Sequence, residues 1–181
     1  MRHPSLALLI PAALAACSSG TQEPAGDAMN AGSEPAGTPS PPVNENPIAD
    51  AAPDGQPFTA GQWYVEQQPS GTVAKFGPPQ TEATLMVACD RASQEVTLTR
   101  AGSASAVQTH VIESGGRAAR IDMAPGATEL PTLTAAVAPN APVFAGFVQP
   151  GGAIMFTDPE GEVLRVPSAP GIRHVFEDCS R

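Results

Sequence analysis

From Gly61 onward, apolar and polar residues alternate in short runs bounded by Gly, Pro, Asn and Ser, the spacing of strands with one buried face. The alternation predicts a strand over Gln62–Glu66, ended by Gln67-Gln68-Pro69-Ser70-Gly71, and a short one over Val73–Phe76, stopped by Gly77-Pro78-Pro79. Ala83–Cys89 is a nearly unbroken apolar run, which predicts a strand at the centre of a sheet. Asp90-Arg91-Ala92-Ser93 then connects tightly into Gln94–Arg100, where Val96 and Leu98 share one face opposite Glu95, Thr97 and Thr99. Further strands are expected at Ala106–Ile112 and Ala118–Met123, joined through Ser114-Gly115-Gly116, and at Thr132–Val137. The stretch Ala141–Val148, opened by Pro139-Asn140, reads either as a short helix or as one more irregular strand. Gly152–Thr157 and Glu162–Val166 flank Asp158-Pro159-Glu160-Gly161, a turn in which Pro fixes φ and Gly supplies a positive φ. Ser168 is placed to cap a final helix with Pro170 in its first turn, and Ile172, Val175 and Phe176 fall on one face of it. The expected fold is mainly β: a small antiparallel barrel or sandwich of seven to nine strands with a C-terminal helix.

The front of the chain carries no such pattern. Residues 1–16 have a basic start at Arg2 and an apolar run from Leu6 to Ala16, too short for a membrane-spanning helix and suited to an export signal. Residues 17–57 hold eight prolines after Cys17, with Met29, Val43 and Ile48 as the few large aliphatics. A segment of that composition buries too little apolar area to offset the ordering entropy of about 1–2 kcal/mol per residue. It reads as a disordered acidic tether, leaving residues 58–181 for one β-rich domain. All the aromatic residues lie in that last part.

Charge narrows the partners. Of the net −9, the tether contributes −6 and the domain, with 8 basic and 12 acidic residues, −4, against +1 from Arg2. Such a chain is repelled by phosphate backbones, whose binding depends on Lys and Arg displacing counterions, so nucleic acid is not an expected partner. Lys75 is the only lysine.

Candidate chemistry is sparse. With Cys17 set aside, Cys89 and Cys179 are each other's only partner, and a bridge between them would pin the last helix to the sheet. Two separate thiols are the other possibility; a redox role lacks a Cys-x-x-Cys pair. His110 reads as a packed or surface strand residue, and His174 as a helix residue facing Glu177 or Asp178. Ser114, His110 and Asp122 can be composed into a nucleophile–base–acid set, yet no Gly-x-Ser-x-Gly context supports it. No catalytic residue, metal site or cofactor is therefore expected. Asp158-Pro159-Glu160-Gly161-Glu162 lacks the alternate carboxylates of a calcium loop, and Asp90-Arg91 is a candidate ion pair at a hairpin tip.

Leu14-Ala15-Ala16-Cys17, followed by Ser18, resembles the lipobox of bacterial lipoproteins. The resemblance implies cleavage before Cys17, diacylglycerol on its sulfur and a further acyl chain on the new amino terminus, with Ser18 implying the outer membrane and a domain facing the periplasm. Trp63, Ala74-Lys75-Phe76-Gly77-Pro78, Cys89-Asp90, Val96–Arg100 and Arg173–Cys179 resemble small uncharacterised lipoproteins of Gram-negative bacteria. The size, disulfide and tether are also similar to small lipid-anchored lysozyme inhibitors, eight-stranded barrels whose Tyr-x-Cys start is absent here. The expectation is a lipid-anchored envelope protein with a non-catalytic module for a protein or glycan partner; the alternative is a small envelope hydrolase using His110 or His174.

Overall fold

The computed structural model describes residues 51–127 and 129–181. The signal, the lipobox with Cys17 and the tether as far as residue 50 lie outside the described residues. Nine antiparallel strands form one curled, half-barrel sheet: β1 (Gln62–Gln68), β2 (Gly71–Gly77), β3 (Leu85–Asp90), β4 (Glu95–Ala101), β5 (Gln108–Ser114), β6 (Arg117–Pro125), β7 (Thr132–Val137), β8 (Ala153–Thr157) and β9 (Val163–Pro167). Their order across the sheet is β1-β2-β3-β4-β7-β6-β5-β8-β9. The mainly β fold with a C-terminal helix is thus present. That helix, α1, runs only over Arg173–Asp178, preceded by a 3-10 turn at Pro170–Ile172, and a second 3-10 turn spans Pro142–Gly146.

Alternation decides which side of each strand is dry. On β3, Leu85, Val87 and Cys89 point inward between Met86, Ala88 and Asp90; on β4, Val96 and Leu98 do so between Thr97 and Thr99. These inward residues join Trp63 and Phe76 in one core with Ile112, Ile154, Phe156 and Val166 from the other half of the sheet. The 3-10 turn and α1 fill the same inner face. Phe144 stacks on Phe176 at 5.2 Å and meets Phe147 edge-on at 5.0 Å, which ties the two short elements together. Gly146 is required where the 3-10 turn meets the β5–β6 turn, because a Cβ there would collide with the backbone of Ser114 and Gly115. The choice left open over Ala141–Val148 is settled in favour of a helical turn, shortened to one 3-10 segment.

The halves are joined narrowly. β6 pairs with β5 from Arg117 to Met123 and with β7 only through Ala124–Thr134 and Pro125–Leu133. A small second cluster, Met123, Leu133 and Ala135, plugs the fork between them. Opposite the fork, the outer strands approach each other: the Trp63 indole N–H donates to the Pro167 carbonyl at 2.7 Å, and the Thr59 N–H to that of Arg165 at 2.8 Å.

Two local expectations change. Ser168 does not cap the last helix: Ala169 stands at the N-cap of the 3-10 turn and Ile172 at that of α1, and the Ser168 hydroxyl instead donates to the Gln149 carbonyl. Residues 51–57, which composition groups with the tether, form a tight turn closed by an Ala51–Pro57 bridge, with Ala52 buried and Asp54 paired to Arg165 at 2.7 Å. None of the helices among the described residues is long and apolar enough to cross a membrane.

Candidate functional site

The outer face of the sheet differs between its halves. On β5 and β6 it carries exposed Thr109, Glu113, Arg120 and Asp122, a solvated charged surface. On β1–β4 and β7 the register brings Tyr64, Lys75, Met86, Thr99 and Thr134 into a single row, each residue facing the next across a strand pair. All five are half-buried. At the strand spacing of about 4.8 Å, the row is roughly 19 Å long.

Two segments turn this row into a groove. The β2–β3 loop, from Gly77 to Ala83, walls one side with Pro78, Gln80 and Thr81; Leu130 and Thr132 line it at the start of β7. Leu130 is 48 % exposed, one of the large apolar side chains left to solvent. Gln80 sits at φ 61, a left-handed conformation uncommon for a residue with a Cβ and one that clusters at binding sites. The Thr81 hydroxyl fastens the loop by donating to the Pro78 carbonyl at 2.9 Å. The open groove has a volume of about 510 Å³, within the range of small-molecule sites. A second notch, beside Phe144, Phe176 and Arg173, holds about 230 Å³, below that range.

The one cation in the groove is paired with one of its two acids. Lys75 Nζ donates to Glu66 Oε2 at 3.1 Å, so the lysine is held by a neighbour on the same face. The Gln62 side-chain amide donates to the Tyr64 hydroxyl, which orients the ring at the β1 end of the row. Glu82 adds one further negative charge. What remains for a ligand is a mixed surface in which aromatic, thioether and aliphatic carbon alternates with hydroxyls and amides, beside the Glu82 carboxylate.

The residues singled out from the sequence lie elsewhere and apart. His110 is 1 % exposed on the inner face of β5. Arg100 Nη1 donates to His110 Nδ1 at 3.1 Å, which leaves the ring proton on Nε2, buried with no hydrogen-bond partner. Burial, and after it the Arg100 charge, holds the His110 pKa below the usual 6.5, while Asp158 and Glu160 act in the opposite direction. Ser114 donates to the Ala153 carbonyl at 3.0 Å, and Asp122 accepts from Thr109 at 2.6 Å on the exposed face. Ser114, His110 and Asp122 therefore make no relay. His174 meets Glu177 at 3.5 Å on the exposed side of α1, as its helical spacing suggested.

Cys89 and Cys179 form a disulfide with Cα atoms 5.7 Å apart. Arg91 does not pair with Asp90: it reaches Asp178 at 2.8 Å, and the Asp90 carboxylate accepts from the Ala92 N–H. Asp178 also accepts from the Thr72 hydroxyl at 2.7 Å. The Arg91 and Thr72 hydrogen bonds together lower its pKa to about 2. Asp158-Pro159-Glu160-Gly161 is the expected turn, with Gly161 at φ 88 and the Glu162 N–H donating to the Asp158 side chain. Among the described residues, no group of three or more His, Cys, Asp or Glu is gathered as for a metal ion.

No protein family, curated protein or solved structure matches this chain. The likeness to envelope lipoproteins therefore rests on the quoted residues alone, and the groove must be read from its own chemistry.

Proposed function

We propose that this chain is a lipid-anchored protein of the bacterial cell envelope, held at the outer membrane through Cys17, whose β domain is a non-catalytic binding module. The observation that carries the binding part is the groove on the outer face of β1–β4 and β7. There a ligand-sized volume coincides with half-buried aromatic, thioether and hydroxyl side chains. The anchor is supported by Leu14-Ala15-Ala16-Cys17 after a short apolar run. Two or three acyl chains, at about 0.8 kcal/mol for each buried methylene, hold a protein on a bilayer where one does so only reversibly. The charge distribution fits a protein or glycan partner better than a nucleic acid.

Against the hydrolase reading, the groove row of Tyr, Lys, Met and Thr offers no histidine or cysteine, and His110 lies on the other side of the sheet. A base needs hydrogen-bond reach to the proton it takes.

The anchor is tested by a Cys17→Ala variant with palmitate labelling and membrane fractionation. The expected result is loss of label and release from the membrane; labelled, membrane-bound variant would refute the anchor. The module reading is tested by capturing envelope partners on the full chain with and without His110→Ala/His174→Ala. Unchanged capture is expected, and an envelope hydrolysis activity that disappears in the double variant would replace this reading.

A further inference from the structure

We infer that the outer-face groove takes a neutral oligosaccharide, laid across the strands along the Tyr64-Lys75-Met86-Thr99-Thr134 row. The inference rests on the binding-module reading above and adds the ligand class.

Four observations lead to a sugar. First, the length of the row, roughly 19 Å at the sheet's strand spacing, matches an extended chain of a few rings rather than a single compact molecule. Second, the lining alternates in the way a pyranose does. A sugar ring has apolar C–H faces and hydroxyl edges. The Tyr64 ring and the Met86 thioether offer flat, polarizable surface, while Thr99 and Thr134 present adjacent hydroxyls, each able to donate and accept. Third, Lys75 is already paired with Glu66, and Glu82 adds a negative charge, so an anionic ligand finds no unpaired cation in the groove. Fourth, the groove lies on a sheet face. β2, β3 and β4, which floor it, are each paired on both sides and offer a peptide no open backbone ladder; the edge strand β1 stands only at one end of the row. A fatty chain would have to lie against the threonine hydroxyls and leave them without partners, which costs free energy.

Gln80 fits the same picture. With its left-handed backbone it lines the groove from the β2–β3 loop, and its side-chain amide can both donate to and accept from sugar hydroxyls. The Lys75–Glu66 pair spans two strands and supplies both a donor and an acceptor without net charge.

The test uses the full chain in a zwitterionic detergent, with its methionines labelled at the methyl carbon, and follows the Met86 signal by NMR. The probes are chitotetraose and maltotetraose, with tetra-alanine and octanoate as the competing chemistries and a total envelope extract as the open-ended one. The expected result is a saturable shift of the Met86 methyl with at least one tetrasaccharide, insensitive to added salt because the sugar carries no charge. Tyr64→Ala should weaken that binding about tenfold, the loss of one aromatic contact. Thr99→Val/Thr134→Val should weaken it several-fold while the spectrum stays that of a folded protein. If neither tetrasaccharide moves the signal, or if Tyr64→Ala binds them as the parent does, the inference is overturned. A shift from octanoate, tetra-alanine or envelope extract in the absence of one from sugar would overturn the sugar assignment and leave the binding module standing. Silence towards every probe, extract included, would remove both.

Discussion

Where β2, β3 and α1 meet, Cys89 is bonded to Cys179, and Asp178 accepts from both Thr72 and Arg91. Where β4, β5 and the β8–β9 turn meet, Arg100 leans on Asp158 at 3.6 Å and His110 keeps a buried nitrogen without a partner. One end of the half-barrel is held by a covalent bond and short hydrogen bonds to a single carboxylate. The other is held by a longer ion pair and an incompletely satisfied imidazole. The groove's walls, the β2–β3 loop and the start of β7, are at the second end. The covalent tie thus sits away from the groove, whose connections are held by backbone hydrogen bonds, Thr84 N–H to the Phe76 carbonyl at 2.7 Å and Gly102 N–H to the Pro131 carbonyl at 3.0 Å among them.

The contrast can be broken most sharply at the covalent end. Replacing both cysteines, Cys89→Ala/Cys179→Ala, opens a loop spanning a separation of 90 residues, which chain entropy values at about 4–5 kcal/mol. Denaturant unfolding of the double variant should show a loss of that order; a loss under about 1 kcal/mol would mean the helix is held by packing alone. Next in size is Gly71→Ala. Gly71 has φ 150, and a Cβ there would overlap the Cys89 carbonyl, so the β1–β2 turn must shift. The expected cost is roughly 2–3 kcal/mol in the same unfolding measurement.

Acid separates the two ends by pH window. His110 has a depressed pKa, so the folded protein stays neutral there while the unfolded chain takes a proton as pH falls through 6.5. Stability from that site is complete above about 6.5 and falls below it. His110→Phe should flatten the fall in thermal stability that begins as pH drops through 6.5, and a variant as acid-sensitive as the parent there would point to another group. Asp178 acts lower. Its pKa drops from 3.8 unfolded to about 2 folded, so its contribution is present above 3.8 and lost as pH falls towards 2. Asp178→Asn should remove that part of the acid limb, with no change in the His110 window. Smallest of all should be Thr99→Val/Thr134→Val, within about 0.5 kcal/mol of the parent because half-exposed hydroxyls on a sheet face contribute little to folding.

Local pattern went far with the strands. β7 is read to the residue, because Pro131 and Pro139 bracket its alternation. β5 is displaced by two residues from its expected position: Ala106 and Val107 look like strand, yet Val107 is 61 % exposed and pairing begins at Gln108 opposite Met123. The Gly115-Gly116 turn sets that register, and register is a property of two strands at once. The Cys89–Cys179 pair could be found by elimination. Arg91–Asp178 could not, since a nearer acid, Asp90, stood beside the arginine and was taken up by the Ala92 N–H instead. Ser168 illustrates the same limit: a good capping residue found a stronger call on its hydroxyl in the Gln149 carbonyl.

The groove left almost no mark on the sequence. Tyr64, Lys75, Met86, Thr99 and Thr134 each look like the outward residue of an ordinary alternating strand. They become a row only through four successive registers, one of them joining β4 to the later strand β7. His110 reads from the sequence as either packed or on the surface; the structure has it packed, among Arg100 and Asp158, neighbours that come from other strands and turns.

The closing contacts of this domain all recruit the chain's final stretch: Trp63 waits for Pro167, Thr59 for Arg165 and Cys89 for Cys179. Because synthesis runs from the amino terminus, a growing polypeptide can pair its early hairpins but has nothing with which to shut the barrel. Commitment to the finished shape must then come late and all together, at the cost in speed that distant pairings impose.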